Sequence, residues 1–442
     1  MLFPKMLGLF FAAGGTLFGV SGCSYFDAHD SPAAPSHLPG RLVETTYSDA
    51  DLEAQNLKVL YRFRSVPNLV MVKSQGFQSS LSQPSGAMIS IADSSVFQNL
   101  MAQHGGDDIR RTVPDHRLNL ISALASRGAA RTEAGFSTVY SDIAARGIVI
   151  NSVQVAVVDS GVIPVSYPMK MGLTSSTNLT LDTDECRWSE HGTAIASVFF
   201  GVFSGGNSPC STSSYAATEQ LMEPGLSPFV RLHSIKISFG KEGQTYLRPN
   251  LESLQLAAAL DEAVASGSQI VNLSIAYDDK SPPYEASLAE QYVMAKAAER
   301  GVVFVAAAGN AGRHLKGVDL FPATYKLDNI VVVGSHTTEM RHALNSNYGV
   351  EVDVTAQGDQ VLTLGILGNE ERFSGTSFAV PIVVSALSLY RALNPNGDYR
   401  AMLRDLYSSS NPNYAWDQSP SDGPISRYGR LDVVQLLKNQ YR

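Results

Sequence analysis

Only three cysteines occur in 442 residues, and the first stands far from the other two. Basic charge is outnumbered, with 33 Lys and Arg against 41 Asp and Glu. A net charge of −8 leaves no basic stripe to neutralise phosphates, which excludes nucleic acid as a partner. There is no internal repeat, and no second membrane segment follows the N-terminal apolar run. What remains is 44% hydrophobic and 17% charged residues, the proportions of a soluble globular enzyme, in a chain long enough for one large core with attached segments.

Lys5 supplies a positive start, and Met6 to Val20 form an apolar run broken by Gly14 and Gly15. A bilayer-spanning helix needs about 20 apolar residues, so this run suits the core of an export signal instead. It ends in Val20-Ser21-Gly22-Cys23, which resembles a bacterial lipobox, although valine stands where leucine is commoner. The resemblance implies a signal peptide over 1–22, lipidation of Cys23, and an exported, membrane-anchored lipoprotein precursor of the periplasm or outer membrane. Its mature form is expected to be soluble or secreted. An ordinary secretory signal with an incidental cysteine is the alternative. Setting Cys23 aside leaves Cys186 and Cys210, an even count in an exported protein, where disulfides persist. They bracket His191 and are expected to pair, with two free thiols or an incomplete metal site as the other readings.

Residues 23–42 read as a tether, because Asp27 to Gly40 is rich in Ala, Ser, Pro and His and poor in core formers. Residues 43–121 read as a small α+β domain. Its expected strands lie at Val59 to Tyr61, Leu69 to Val72 and Met88 to Ile91, with a helix over Ser95 to His104. From about Asn151, strands and helices alternate. "VQVAVVDSG", "RLHSIKIS", "QIVNLSIA", "GVVFVAAAGN" and "NIVVVGS" are apolar runs of strand length, as buried parallel strands are. Between them, Leu251 to Ser266 and Glu285 to Arg300 read as helices closed by Gly267 and Gly301. This alternation predicts an α/β fold with a doubly wound, mostly parallel sheet. Ligands in such sheets bind beyond the carboxyl ends of the strands, where Asp159 and Asn310 fall.

Asp159 follows an apolar strand in "VAVVDSGV", where a carboxylate is unfavourable unless paired. His191 opens "HGTAIASVFFG", whose small residues allow close packing. Ser377 lies in "FSGTSFAVP" at an expected helix start, where free N–H groups favour incoming negative charge. Pro381 is tolerable there if it falls in the first turn of a helix beginning near Thr376. Asn310 ends "VAAAGN" and carries an amide able to donate to an oxyanion. Taken singly, each residue also fits a plain role: a turn aspartate, a surface histidine, an N-cap serine, an αL asparagine. Together they supply a nucleophile, a base, an orienting carboxylate and an oxyanion donor, in the chain order Asp, His, Ser.

With these motifs in that order, the chain resembles the subtilase family over about Val153 to Val433. "VNLSIAY", "FPATY", "NSNYGVEVDVTAQG" and "RYGRLDV" resemble its connecting segments. The resemblance implies a subtilisin-like serine endopeptidase domain over 122–442 that acts through an acyl-enzyme. Ser377 would be nucleophile, His191 general base and then acid, Asp159 the orienting carboxylate, and Asn310 with the Ser377 N–H the oxyanion hole. It further implies that Ser274, Ile275 and Ala276 pair with substrate as an added strand, with Ala307 and Gly309 lining the site. Ala306 to Ala308 are the apolar lining expected there. The domain at 43–121 sits where the family carries a propeptide, so the expected partners are peptide or protein substrates, the chain's own propeptide, and lipid through Cys23. No cofactor is required for the chemistry. Asp182, Asp184 and Glu185 leave room for a structural calcium ion or for a plain solvated loop. The sequence departs from the family at Ala194 and Ile382, where histidines are common, and at Ala276, where glycine is usual. A catalytically silent peptide binder is the competing reading, and the presence of all four expected catalytic residues opposes it.

Overall fold

A computed structural model describes residues 41–74, 88–90, 99, 103, 135–180, 184–186, 189–204, 208–211, 220–237, 255–278, 284–413 and 423–440. Cys23, Asp182, the signal, most of the tether and the 104–134 connection lie outside these residues. So does the helix expected at 95–104, apart from its lone helical positions Asn99 and Gln103.

The N-terminal module comprises β1 (Arg41–Thr45), α1 (Asp49–Ala54), β2 (Leu57–Arg62), β3 (Leu69–Ser74) and β4 (Met88–Ser90). They form an antiparallel sheet of order β2-β3-β1-β4. β1 begins at Arg41, inside the stretch read as tether and two residues before the expected start of the module at 43. Leu42 is in the core, which explains why the strand reaches back that far. α1 is too short to persist on its own. Ser48 caps it, accepting from the Asp51 N–H while Asp51 accepts from the Ser48 N–H.

The large unit alternates helices and strands. In chain order these are α2 (Phe136–Ala145), β5 (Val153–Asp159), α3 (Tyr167–Gly172), β6 (Leu173–Asn178), α4 (Glu190–Phe200), β7 (Gly201–Ser204), β8 (Gln220–Pro224) and β9 (Val230–Lys236). Then come α5 (Gln255–Ala265), β10 (Ile270–Leu273), β11 (Tyr277–Asp278), α6 (Tyr284–Ala298), β12 (Val303–Ala307), β13 (Leu320–Phe321) and β14 (Ile330–His336). The last are β15 (Val354–Gln357), β16 (Val361–Leu364), β17 (Glu370–Phe373), α7 (Thr376–Leu393), α8 (Tyr399–Ser409), β18 (Gly429–Arg430) and α9 (Val433–Leu437).

Eight of these strands make one sheet, β18-β15-β14-β12-β10-β5-β9-β6, and every pairing in it is parallel. β5 shows why both faces are buried. Val153, Val155 and Val157 point to a core shared with α2, α4, α7, α8 and α9, while Ala156 and Val158 point to a second core with α5 and α6. This is the doubly wound α/β architecture that the alternation predicts. The chain runs from β9 on one side of β5 to β10 on the other, which makes the carboxyl end of β5 the switch point.

The N-terminal sheet packs on the outer side of α5 and α6. Leu42, Phe63, Val66, Leu69 and Met71 join the core of those helices. Asp261, in the middle of α5, is 0% exposed. It accepts from the Tyr61 hydroxyl (2.9 Å) and from the backbone N–H groups of Arg64 (2.9 Å) and Ser65 (2.6 Å). The module thus supplies three donors to a carboxylate that burial alone would penalise.

Candidate active site

Asp159 is the last residue of β5 and is fully buried. His191 sits in the first turn of α4, with its Nδ1 2.9 and 3.0 Å from the two Asp159 carboxylate oxygens. A carboxylate only accepts, so Nδ1 carries the proton and Nε2 is the basic nitrogen. The approach depends on two glycines. A Cβ on Gly192 would stand 2.2 Å from the Gly161 carbonyl and 3.2 Å from Asp159 Oδ1. Gly161 itself has φ +101°, which an L side chain disfavours. Ser160 ties the two segments, its N–H donating to Asp159 Oδ1 (2.7 Å) and its Oγ accepting from the Gly192 N–H (3.0 Å).

Burial pushes the His191 imidazolium down, but the Asp159 charge, its hydrogen bond and the nearby Glu190 outweigh that, and the net pKa is raised. Glu190 is itself raised, first by burial and then by Glu371. Phe378 stands edge-on to the imidazole at 5.6 Å and stacks on Phe373 at 5.2 Å, giving His191 an aromatic wall.

Ser377 is the second residue of α7 and is buried. Its hydroxyl donates to the Ser274 carbonyl at 3.0 Å, and the Ser274 hydroxyl donates to the Ser377 carbonyl at 2.7 Å. The second bond has a cause in the sequence. Pro381 lies inside α7, past its first turn rather than within it, and has no N–H for the carbonyl four residues earlier. That carbonyl belongs to Ser377, and Ser274 caps it. Asn272 Nδ2 in turn donates to Ser274 Oγ at 2.9 Å.

Asn310 follows β12. Its Oδ1 accepts from the Thr376 N–H (2.8 Å) and the Thr376 hydroxyl (3.0 Å), while Thr376 Oγ1 accepts from the Gly309 N–H (3.1 Å). A backbone N–H can only donate, so this network fixes the oxygen end of the amide. Nδ2 is left buried with no hydrogen-bond partner.

Asp159, Ser274 and Asn310 therefore come together from the carboxyl ends of three adjacent strands, β5, β10 and β12, while Ser377 meets them from a helix start. Ala306, Ala307 and Ala308 are fully buried, as Ser377 is, with Ala307 in the α4/α7 core and its neighbours in the α5/α6 core. Ser274, Ile275 and Ala276 are also buried, and Ala194 and Ile382 are core residues. Thr376, Phe378 and Ser160 escaped the sequence reading as participants. Thr376 and Phe378 lie inside "FSGTSFAVP" and Ser160 inside "VAVVDSGV", which is the available signal.

Cys186 and Cys210 form a disulfide with Cα atoms 5.6 Å apart, closing a segment that contains α4 and His191. Among the described residues, no group of three or more His, Cys, Asp and Glu side chains converges to hold a metal ion.

The Subtilase family profile matches residues 151–429. Subtilisin Savinase of Lederbergia lenta is 32% identical over 172 residues, 39% of this chain and 57% of the relative. A thermophilic serine proteinase of Bacillus sp. (strain AK1) is 28% identical over 214 residues, 48% of this chain and 47% of the relative. The chain thus spans about half the length of these curated relatives. The epidermin leader peptide processing serine protease of Staphylococcus aureus shares the fold. Its TM-score is 0.56 at 17% identity, over 91% of this chain and 99% of that one.

Proposed function

The chain belongs to the subtilase family, and we propose that it is an exported serine endopeptidase that cuts peptide bonds through Asp159, His191 and Ser377. What supports this reading is a histidine held by a buried aspartate, a serine at a helix start whose neighbour Phe378 stands edge-on to that histidine, and an asparagine amide with a buried, unpartnered Nδ2. Ser377 Oγ turns its proton from the Ser274 carbonyl to His191 Nε2 and attacks the scissile carbonyl. Asp159 stabilises the imidazolium that forms. The tetrahedral oxyanion takes hydrogen bonds from Asn310 Nδ2 and the Ser377 N–H. His191 then returns the proton to the leaving amine, and water repeats the sequence on the acyl-enzyme.

In this reading, Ser274 to Ala276 meet the substrate through their backbone. The N-terminal module acts as the propeptide, held on α5 and α6 by Asp261. Export agrees with the Cys186–Cys210 disulfide, since such bonds persist in oxidising compartments. Lipidation at Cys23 would hold the precursor at a membrane, and a cut between about 116 and 136 would free the large unit from it. The deciding experiment compares casein cleavage and fluorophosphonate labelling with and without Ser377→Ala. Loss of both in a folded variant supports the proposal. Labelling that survives Ser377→Ala, or a folded wild type that binds peptides without cutting them, refutes it.

A further inference from the structure

Lys236 is the last residue of β9, in register with Asp159 on β5, yet it is only 6% exposed. A buried ammonium is strongly unfavourable unless its charge is met by oxygens. Here Nζ donates to the backbone carbonyls of Asp184 (3.3 Å) and Glu185 (3.5 Å) and to Ser189 Oγ (3.3 Å). Room for it is made by Gly161, where a Cβ would stand 3.0 Å from both Lys236 Cδ and Ser189 Oγ.

Those oxygens belong to the turn that leads into α4. Ser189 directly precedes the helix, and its carbonyl accepts the Thr193 N–H at 3.1 Å. Its hydroxyl also reaches the Glu185 carbonyl (2.6 Å) and the Ser160 carbonyl (3.2 Å), one residue from Asp159. Backbone carbonyls gathered around one positive charge are how a loop is commonly tied by a metal cation. In this chain the charge is covalently attached and comes from the sheet. The disulfide ties the same turn only to another loop, at Cys210.

We propose that Lys236 is a positioning residue whose buried ammonium acts as a built-in cation, gathering the Asp184 and Glu185 carbonyls and the Ser189 hydroxyl so that His191 is seated against Asp159. The role rests on the peptidase reading of the site. Lys236 acts through Ser189 and the start of α4 and touches no reacting atom.

Lys236→Met keeps the bulk of the stem and removes the charge. In the full chain, kcat on a peptide substrate should fall roughly tenfold with KM changed less than about twofold, because a displaced base affects the chemical step and not binding. The fluorophosphonate labelling rate should fall in proportion. Lys236→Arg, which restores the charge, should recover kcat to within about threefold of wild type. A folded Lys236→Met protein with wild-type kcat overturns the proposal, as does a loss that disappears once the rate is referred to folded enzyme. If Lys236→Met does not fold, Ser189→Ala decides. That variant keeps the lysine and cuts its link to the helix, so kcat should drop about threefold with KM unchanged, and no drop overturns the role. Hydrolysis that persists in Ser377→Ala would instead remove the peptidase reading itself, so the two failures are distinguishable.

Discussion

The bond from Ser274 to the Ser377 carbonyl makes a stability prediction that a contact list alone would miss. In Ser274→Ala, two buried groups lose a hydrogen bond: the Ser377 carbonyl, which Pro381 deprives of its usual helical donor, and Asn272 Nδ2. Removing one partner of a buried polar group costs about 1–3 kcal/mol, so the pair should destabilise the fold by roughly 2–6 kcal/mol. Pro381→Ala restores an N–H aimed at that same carbonyl. In the Pro381→Ala background, Ser274→Ala should therefore strand only Asn272 and cost about 1–3 kcal/mol. The double-mutant cycle should thus show a coupling of about 1–3 kcal/mol. Urea unfolding in a Ser377→Ala background measures it without self-digestion, and the carbonyl in question is backbone, so the background leaves it in place. Equal costs of Ser274→Ala with and without Pro381, to within about 0.3 kcal/mol, would refute the account.

Three further outcomes are expected. Because His191 works as a base only when neutral and its pKa is raised, the acid limb of kcat/KM should lie above the ordinary imidazole value of about 6.5. Glu190→Gln removes one raising charge and should shift that limb down by a few tenths of a pH unit, and an upward shift would contradict the sign. Asn310→Ala should lower kcat about 100- to 1000-fold with little change in KM, the loss typical of a single oxyanion donor, and steady-state kinetics would expose an equal effect on KM instead. Replacing Cys186 and Cys210 by serine opens a loop of 24-residue separation and should lower unfolding stability by about 3–4 kcal/mol, as read by chemical denaturation; a change under about 1 kcal/mol would count against it.

Much of this was legible in the sequence because parallel strands buried on both faces read as unbroken apolar runs. β5, β9, β10, β12 and β14 all fall on runs identified that way, and Gly267 and Gly301 end their helices at φ +83° and +72°. β1 was missed in part because a five-residue strand beginning with arginine resembles the polar tether before it. Burial of charge was not legible at all. Asp261 in mid-helix and Lys236 at a strand end carry no local mark of burial; the partners that bury them come from Tyr61, Arg64 and Ser65 and from Asp184, Glu185 and Ser189. Such partners are set by packing between distant segments, which leaves no local periodicity.

The convergence of the site follows from parallelism itself. Asp159, Lys236, Ser274 and Asn310 are spread over more than a hundred residues, yet each lies at or just beyond the carboxyl end of its strand. In a sheet where every strand runs the same way, all such ends share one edge, with neighbours about 5 Å apart. β12, β10, β5 and β9 are consecutive across the sheet, so donor amide, serine clamp, carboxylate and ammonium stand in a row. An antiparallel arrangement would send alternate ends to opposite edges and break the set. The two remaining parts, His191 and Ser377, come from α4 and α7, which lie on the same face of the sheet and direct their starts at that edge. The handedness of successive strand–helix crossovers places both helices there. What local sequence must add is close approach, and the glycines at 161 and 192 supply it. The fold brings the parts within reach, and a few residues without side chains let them touch.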